Sequence, residues 1–310
     1  MNLFNISEKS AKMRKVLRSR GIGGTLKAAA RYAFPAKAKS FAKAKEVVEG
    51  RQGLEIGGPS PGFGRKGFLP IYPFAKGIDN CNFGAKTVWE GSISDGLTFQ
   101  FDPNRPKGRQ YIAEATDLRA IPDKSYDFVL SCHSIEHTAN PLLALEEWKR
   151  VLREEGGMVL VVPHKEDTFD HRRPVTALEH IIADFKVNVG EDDTTHVLEV
   201  LELHDFDKDW GTMDFNAFKR RCHENFETRC LHHHVFSTSL VVQMLDYARL
   251  QIRSVEALMP FHIIVVARKL PPGVSPRNEP FLSPKADWLR TSPFKIDRDL
   301  RGNEGKLANR

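Results

Sequence analysis

The stretch from residue 126 to residue 163 limits the folds open to this chain more than any other feature. Residues 127–132 are mostly apolar and predict a buried strand. Asn140, directly before a proline, predicts a helix start, because a capping side chain and a proline in the first turn both suit that position. Apolar residues then recur at helical spacing, at Leu142, Leu145, Trp148, Val151 and Leu152. The glycine pair at 156–157 predicts the helix end and residues 158–162 a second buried strand, so the stretch predicts a β-α-β unit.

The same alternation of short apolar strands and helical patterns extends from residue 53 to about residue 270. Alternation of this kind indicates an α/β fold with a parallel sheet and crossover helices. A helix over 238–247, followed by strands over 252–255 and 262–267, closes the pattern. An insertion after the predicted fifth strand is polar, acidic and aromatic, with helices predicted near 176–185 and 215–229. The predicted organisation is a basic helical N-terminal extension (1–48), the α/β domain (49–270) with a cap (165–230), and a mobile polar C-terminal tail (271–310).

The positive charge is concentrated at the N-terminus. Residues 1–50 contain twelve Lys and Arg against three Glu, which gives +9, so the remaining residues carry 6 − 9 = −3. A basic arm on a slightly acidic body predicts contact with a polyanion, either a membrane surface or nucleic acid; the alternative is a solvated helical extension, since charge runs are usually solvated faces. No apolar run reaches the roughly 18 residues of a membrane span, and no secretory signal is present. Four cysteines without a CxxC pair predict free thiols, and together these features predict cytoplasmic residence, with peripheral membrane contact through the arm as a further option.

A glycine-containing segment, residues 54–59, follows the first predicted strand. Adjacent glycines allow a ligand to approach the backbone closely. Asp79 follows the acidic Glu55 by about twenty residues, the spacing at which dinucleotide-binding folds place an acid on a ribose. Residues 114–117, after the predicted third strand, are placed to line an adenine pocket, with Asp117 among them.

Five motifs occur in order behind this segment, and together they resemble the class I S-adenosylmethionine-dependent methyltransferases of the type 11 group. They are Leu54-Glu-Ile-Gly-Gly58, Asp117-Leu-Arg-Ala-Ile-Pro-Asp123, Ser125-Tyr-Asp127-Phe-Val, Ser131-Cys-His-Ser-Ile-Glu-His137 and Val151-Leu-Arg-Glu-Glu-Gly-Gly157. The resemblance covers about residues 53–164 and, more weakly, 234–268. It implies a Rossmann-like doubly wound sheet of seven strands in the order 3-2-1-4-5-7-6, with strand seven antiparallel, after which the insertion and the extension are additions.

The resemblance also implies S-adenosylmethionine as the cofactor and a set of residues around it. Glu55, Gly57 and Gly58 would border its methionine part, and Asp79 its ribose. The remaining predicted cofactor residues are Glu114 and Ala115 at the adenine, with Asp117 nearby, and Ser131 to His133 closing the pocket. The loop departs from the family's Gly-x-Gly-x-Gly pattern, because two prolines in Gly57-Gly-Pro-Ser-Pro61 remove amide donors.

Two other nucleotide-binding interpretations are weaker. Gly62-Phe-Gly64-Arg-Lys-Gly67 fits the GxGxxG pattern of nicotinamide enzymes, but no helical pattern follows it. No GxxxxGK[ST] sequence is present, which disfavours a P-loop phosphotransferase.

Histidines supply the candidate catalytic groups. His137 follows the predicted fourth strand and is the leading candidate for a general base, with a structural role beside the cofactor as the alternative. His164, after the fifth strand, is the second candidate. His133, Glu136, His137 and His164 also offer metal ligands, in a pattern similar to metal-dependent small-RNA 2′-O-methyltransferases; the sequence nevertheless predicts no metal. His232 and His234 either line the acceptor pocket or lie in a domain seam.

The predicted function is S-adenosylmethionine-dependent O-methylation of a hydroxylated small molecule or glycan. The polar, His- and Asp-rich insertion suits a hydroxylated acceptor. Two alternatives stay open, namely a nucleic-acid methyltransferase that uses the basic arm and a non-catalytic binding module with the same fold.

Overall fold

The computed structural model describes residues 37–209 and 214–301. Its strands are β1 (Gln52–Ile56), β2 (Gly77–Asn82), β3 (Lys86–Thr87), β4 (Gly91–Ser92), β5 (Gly96–Phe99), β6 (Gly108–Ile112), β7 (Tyr126–Cys132), β8 (Leu152–Pro163), β9 (Gln251–Leu258) and β10 (His262–Arg268). Its α-helices are α1 (Phe41–Val48), α2 (Pro141–Val151), α3 (Leu178–Val187), α4 (Val197–Leu203), α5 (Phe215–His223), α6 (Asn225–Thr228), α7 (Thr238–Tyr247), α8 (Glu279–Leu282), α9 (Asp287–Thr291) and α10 (Lys295–Arg301). Single 3₁₀ turns lie at Pro61–Phe63, Tyr72–Phe74, Ile135–His137 and Lys165–Asp167.

Eight strands form one sheet in the order β5-β6-β2-β1-β7-β8-β10-β9. The five strands from β6 to β8 are parallel, whereas β10 is antiparallel to both of its neighbours. This arrangement is the predicted order 3-2-1-4-5-7-6, with β10 as strand seven and β9 as strand six. The sequence did not predict the eighth strand, β5, which pairs antiparallel with β6 at the edge. The Rossmann-like doubly wound fold is therefore confirmed.

The β-α-β unit predicted over residues 126–163 is present, but its helix ends earlier than predicted. The Asn140 side chain accepts a hydrogen bond from the Leu143 backbone NH at 3.1 Å, which caps α2. The helix stops at Val151, because Leu152 already pairs with Tyr126 as strand. Gly157 has a packing role instead, since a Cβ there would overlap the side chain of Val47, next to the end of α1.

Both faces of the sheet are covered, and β8 shows how. Met158, Leu160 and Val162 belong to one hydrophobic cluster, and the alternating Val159 and Val161 belong to the cluster on the other side. Neighbouring residues of a strand point to opposite faces, so a continuous apolar run indicates a strand that is buried twice.

The segments outside the sheet differ from the prediction in two places. Residues 37–48 of the predicted extension pack on the domain through α1, whose Ala44 and Val48 are buried; residues 1–36 lie outside the described residues. The described part of the predicted mobile tail is packed as well, because Trp288 and Leu289 enter the main core and Thr238 donates a 2.6 Å hydrogen bond to the buried Asp297. Apolar residues spaced among the charges supply this anchoring. The cap has a small core of its own, made of Val197, Val200, Phe218, Cys222 and Leu231.

All four cysteines are free thiols, as predicted. Among the described residues, no helix is long and apolar enough to cross a membrane.

Candidate functional site

A cavity of about 430 Å³ lies beyond the carboxyl ends of the parallel strands. Ligands of open α/β sheets bind in this crevice, at the point where the strand order reverses. Each central strand contributes residues at or just after its end: Ile56 and Gly57 from β1, Asn82 and Phe83 from β2, Ala113 to Ala115 from β6, His133 and Ser134 from β7, and Pro163 from β8. The cap closes the other side with Thr168, Phe169, Glu191, Lys208 and Arg229, and His232 follows just after the cap.

The glycine loop after β1 is built for close approach at Gly57. Its φ is +79°, a conformation that favours glycine, and a Cβ at this position would overlap the hydroxyl of Ser134. The next residue, Gly58, is held by Asn80, whose side chain accepts from the Gly58 NH at 2.9 Å and donates to the Gly58 carbonyl at 3.1 Å. Gly57 therefore borders the cavity as predicted, whereas Gly58 lies behind the wall, against the carboxyl group of Glu55.

Replacing Gly57 with alanine is expected to weaken S-adenosylmethionine binding by at least tenfold. The substitution adds a methyl group where Ser134 stands and forces a side chain into positive φ, a strain of about 1–3 kcal/mol. Calorimetric titration with S-adenosylmethionine measures the change. Gly84→Ala is the matched control, because the nearest atom to its new methyl group would be 3.7 Å away and its φ is not positive. Equal affinity in Gly57→Ala and Gly84→Ala would contradict the assignment.

Glu55 supports this loop from below and does not line the cavity. It is fully buried and accepts hydrogen bonds from the Tyr72 hydroxyl at 2.6 Å and the Ser60 NH at 3.2 Å. Burial raises the pKa of Glu55 to about 7, although both hydrogen bonds act in the opposite direction. The carboxyl group is thus predicted to order the loop rather than to contact the cofactor.

The buried Glu55 makes a pH-dependent contribution to stability. The folded state holds an extra proton between pH 4.5 and about 7, so the free energy of unfolding falls as the pH rises through this window, by up to about 3 kcal/mol. Glu55→Gln carries no titrating group and should flatten this dependence in urea unfolding at several pH values. The exposed Glu46→Gln is the control and should keep the wild-type slope. A wild-type slope in Glu55→Gln would rule out this origin.

The opposite end of the cavity matches the predicted adenine side in part. Glu114 and Ala115 line it, and the Glu114 carboxylate pairs with Nη2 of Arg229 at 2.5 Å. The Arg229 guanidinium also lies 5.3 Å from the ring centroid of Phe83. This polar and aromatic wall suits a planar heterocycle with an exocyclic amine.

Besides Glu55 and Gly58, three more predicted cofactor residues do not line the cavity. Asp79 sits within β2, three residues before its end, and accepts from the Tyr126 hydroxyl at 2.8 Å. Asp117 is 41% exposed and pairs with Arg119. Ser131 is buried inside β7. Spacing rules placed Asp79 at the wrong depth, because β2 continues to Asn82, and Asn82 is the residue that reaches the wall.

The predicted catalytic histidines separate in the structure. His137 lines the cavity. Its pKa is lowered to about 3, mainly because the ring is buried and secondly because of the charge of the nearby His232. His164 is fully buried, stacked 3.9 Å from the Phe294 ring, with Nε2 3.5 Å from Asp297. As placed, His164 cannot contact an acceptor, because the C-terminal helices that the sequence left unpacked cover it.

A histidine–aspartate pair lies at the cavity instead. Nδ1 of His232 donates to Oδ2 of Asp170 at 2.5 Å, and both side chains are at most 8% exposed. Burial lowers the pKa of His232, but the charge and hydrogen bond of Asp170 outweigh this effect and the pKa is raised. Asp170 is fixed in turn by the buried Arg173, at 3.0 Å. Asp170 and His232 are 62 positions apart in the sequence, so no local pattern could reveal the pair.

Glu136, His137 and His232 together could hold a divalent cation. Their nearest ligand atoms lie within 4.8 Å of one another, and Oε2 of Glu136 is buried with no hydrogen-bond partner among the described residues. This set shares two members with the metal ligands considered from the sequence, while His164 is excluded by its position. The expectation of no metal at this site remains a prediction.

Part of the α/β domain is similar to a known protein family. A family model described as "Methyltransferase domain" matches residues 86–160, which span β3 to β8 and include Glu114, His133 and His137. No curated protein matches the chain.

Several solved structures are similar to this chain at low sequence identity. A SAM-dependent methyltransferase from Aquifex aeolicus is 15% identical over 78% of this chain and 93% of its own, with a TM-score of 0.38. A structure of SAM-dependent methyltransferases from Methanosarcina mazei is 17% identical over 76% of this chain and 99% of its own, with a TM-score of 0.41. The 1,6-didemethyltoxoflavin-N1-methyltransferase of Burkholderia thailandensis is 10% identical over 86% of this chain and 90% of its own, with a TM-score of 0.40. That structure contains bound 1,6-didemethyltoxoflavin and S-adenosylhomocysteine.

Proposed function

We propose that this S-adenosylmethionine-dependent methyltransferase methylates a hydroxyl group of a small molecule or glycan, with His232 as the general base. The observation that carries the proposal is the buried His232–Asp170 pair on the wall of the cofactor cavity. Enzymes that deprotonate a hydroxyl place a base with a tuned pKa against the acceptor, and a carboxylate on the far ring nitrogen orients that base.

The cavity fits the cofactor at the loop after β1. Gly57 and Ser134 line the cavity there, and Asn82, Glu114 and Ala115 continue the wall towards the adenine side. When bound, S-adenosylmethionine supplies an electrophilic methyl group on a sulfonium. The protein's main task is then alignment, since correct placement of two reactants can contribute about 7–11 kcal/mol.

The chemistry at His232 follows from its hydrogen bond. Nδ1 keeps its proton and donates a hydrogen bond to the Asp170 carboxylate, which leaves Nε2 as the acceptor nitrogen. The acceptor hydroxyl gives its proton to Nε2 as its oxygen becomes methylated, and Asp170 stabilises the imidazolium that results. His137 is a weaker base, because a group with a pKa of about 3 holds a proton poorly at neutral pH.

The acceptor side of the cavity supports a hydroxylated substrate. Thr168 and Lys208 offer polar groups, while Phe169 and Phe261 offer ring faces. This mixture suits a sugar, whose hydroxyls need hydrogen bonds and whose CH faces pack on aromatic rings.

The partner and the location of the enzyme are part of the proposal. We infer a cytoplasmic enzyme whose basic segment 1–48 contacts a membrane surface near its acceptor, on the strength of the +9 charge at residues 1–50. Residues 1–36 lie outside the described part of the chain.

The decisive experiment uses S-adenosylmethionine labelled in its methyl group. The full chain is incubated with fractionated extract of the source cell, in parallel with His232→Gln. We expect label in a small-molecule or glycan fraction, stable to mild alkali as a methyl ether is, and absent with the variant. Label that nuclease releases would favour the nucleic-acid alternative, and cofactor binding without any labelled product would favour a non-catalytic module.

A further inference from the structure

A second group of histidines lies outside the cofactor cavity, at the seam between the cap and the α/β domain. It consists of His180 on α3, His196 directly before α4, and His234 in the segment before α7. Asp184, one turn after His180 on α3, faces the same group. We call these four residues the seam cluster.

The spacing within the seam cluster is that of metal ligands. Nε2 of His180 is 3.2 Å from Nε2 of His196 and 3.3 Å from Oδ2 of Asp184. Tetrahedral zinc with ligand distances of about 2.0–2.1 Å has ligands about 3.3–3.4 Å apart. Oδ2 of Asp184 also lies beside the His234 ring, 3.7 Å from its Nε2, and one ring nitrogen of each histidine lies within 4.8 Å of the others. Small side-chain movements would therefore complete a four-ligand site.

One ring of the seam cluster has an unmatched buried nitrogen. His234 is 1% exposed, and its Nε2 donates to the Ala139 carbonyl at 3.0 Å, because a carbonyl oxygen can only accept. The proton thus resides on Nε2 and leaves Nδ1 as a bare acceptor, with no hydrogen-bond partner among the described residues. A ring nitrogen fixed by a carbonyl behind it is the usual environment of a metal-binding histidine.

The seam cluster can be reached from solvent. His180 is 43% exposed, which gives an ion a route from solvent.

We propose that His180, His196, His234 and Asp184 bind one structural Zn²⁺ ion that fastens the cap to the α/β domain. Three imidazoles and one carboxylate form a closed tetrahedral set for a borderline-soft divalent cation. The ligands come from three segments, two of which flank the loop that carries Glu191 into the cofactor cavity. Such an ion would hold this loop in place without taking part in the reaction.

The test is a zinc titration of the full chain after treatment with a chelator. Wild-type protein should bind one Zn²⁺ in competition with a chromophoric chelator, and its Tm should rise. His180→Ala and His196→Ala should bind at least about 100-fold more weakly, since loss of a mere supporting contact already costs about 10- to 100-fold. Both positions are chosen because neither ring is fully buried. His223→Ala, an exposed histidine outside the cluster, should bind as the wild type does.

A second variant distinguishes the seam cluster from the other candidate cation site, which is Glu136, His137 and His232 in the cofactor cavity. His232→Gln should leave zinc binding and the Tm increase unchanged, because His232 is not part of the seam cluster. Absence of zinc binding by the wild type would overturn the proposal. So would binding that His232→Gln abolishes and His180→Ala preserves, because the ion would then lie in the cavity.

Discussion

Replacing His232 with glutamine should lower kcat by about 10²- to 10⁴-fold and leave S-adenosylmethionine affinity nearly unchanged. The variant keeps a polar side chain of similar reach but cannot take up the acceptor proton, which is the contribution that a general base makes. Once the acceptor is identified, single-turnover kinetics measure the rate, and calorimetry measures cofactor binding in the same preparation. His171→Gln is the matched control, because that histidine pairs with Asp205 and does not line the cavity.

The pH profile distinguishes a base from a residue that only shapes the cavity. His232 must be unprotonated to act, and the Asp170 carboxylate raises its pKa, so kcat/KM of the wild type should rise with pH through an apparent pKa above that of an ordinary histidine. Asp170→Asn removes the charge that raises this pKa and should move the limb to lower pH. Wild-type kcat in His232→Gln would remove the histidine from the mechanism.

A cation held by Glu136, His137 and His232 would produce a different pattern. Activity of the wild type would then be lost after chelation and restored by added metal, and Glu136→Gln would impair the enzyme as strongly as His232→Gln. With a general base, the chelated enzyme should remain active under conditions in which it is still folded.

Replacing Arg173 with methionine should lower the free energy of unfolding by about 3–5 kcal/mol. Arg173 is 1% exposed and donates to Asp170 at 3.0 Å, to Glu199 at 2.6 Å, and to the carbonyls of His232 and His233 at 2.8 and 3.1 Å. Methionine fills a similar volume but leaves Asp170 as a buried charge with one partner fewer and two carbonyls without donors. The penalty comes from these unmatched groups rather than from lost packing.

Urea unfolding of Arg173→Met measures this effect, with the neighbouring Arg172→Met as its control. Arg172 is 51% exposed and pairs with Asp205 at the surface, so its loss should cost at most about 1 kcal/mol. Because Arg173 also fixes Asp170, the variant should show reduced kcat below its unfolding transition. A stability loss under 1 kcal/mol would mean that Arg173 does not stabilise the packing of the cap against His232 and His233.

The central strands and α2 could be predicted because their signals are local. These signals are the helix-capping residue Asn140, the helical spacing through Trp148 and the apolar run at 158–162. Each lies within about one secondary-structure element. The edge strand β5 escaped prediction, since a short strand over Gly96–Phe99 has too few residues to show a pattern. The end of α2 was misplaced because pairing between Leu152 and Tyr126 decided it.

The same difference between local signals and tertiary contacts explains which site residues could be predicted. Gly57 was found from its own neighbours in sequence, whereas Asp79 was assigned by a spacing rule that fails when a strand is three residues longer than assumed. His137 was favoured over His232 because only the former lies in a recognisable motif. The charge that tunes His232 comes from Asp170, and nothing in the sequence links those two positions.

The sequence by itself determined the α/β fold class, and it predicted a methyltransferase with its cofactor loop at residues 54–59. Strand alternation, capping and ordered motifs act over a few residues, so they can be read before the chain is folded. Only the tertiary structure decided which histidine has a carboxylate partner, which lies under the C-terminal helices, and which three meet at the cap seam. Burial and the distance to a charge set the pKa of an imidazole, and both quantities exist only after distant segments have packed together.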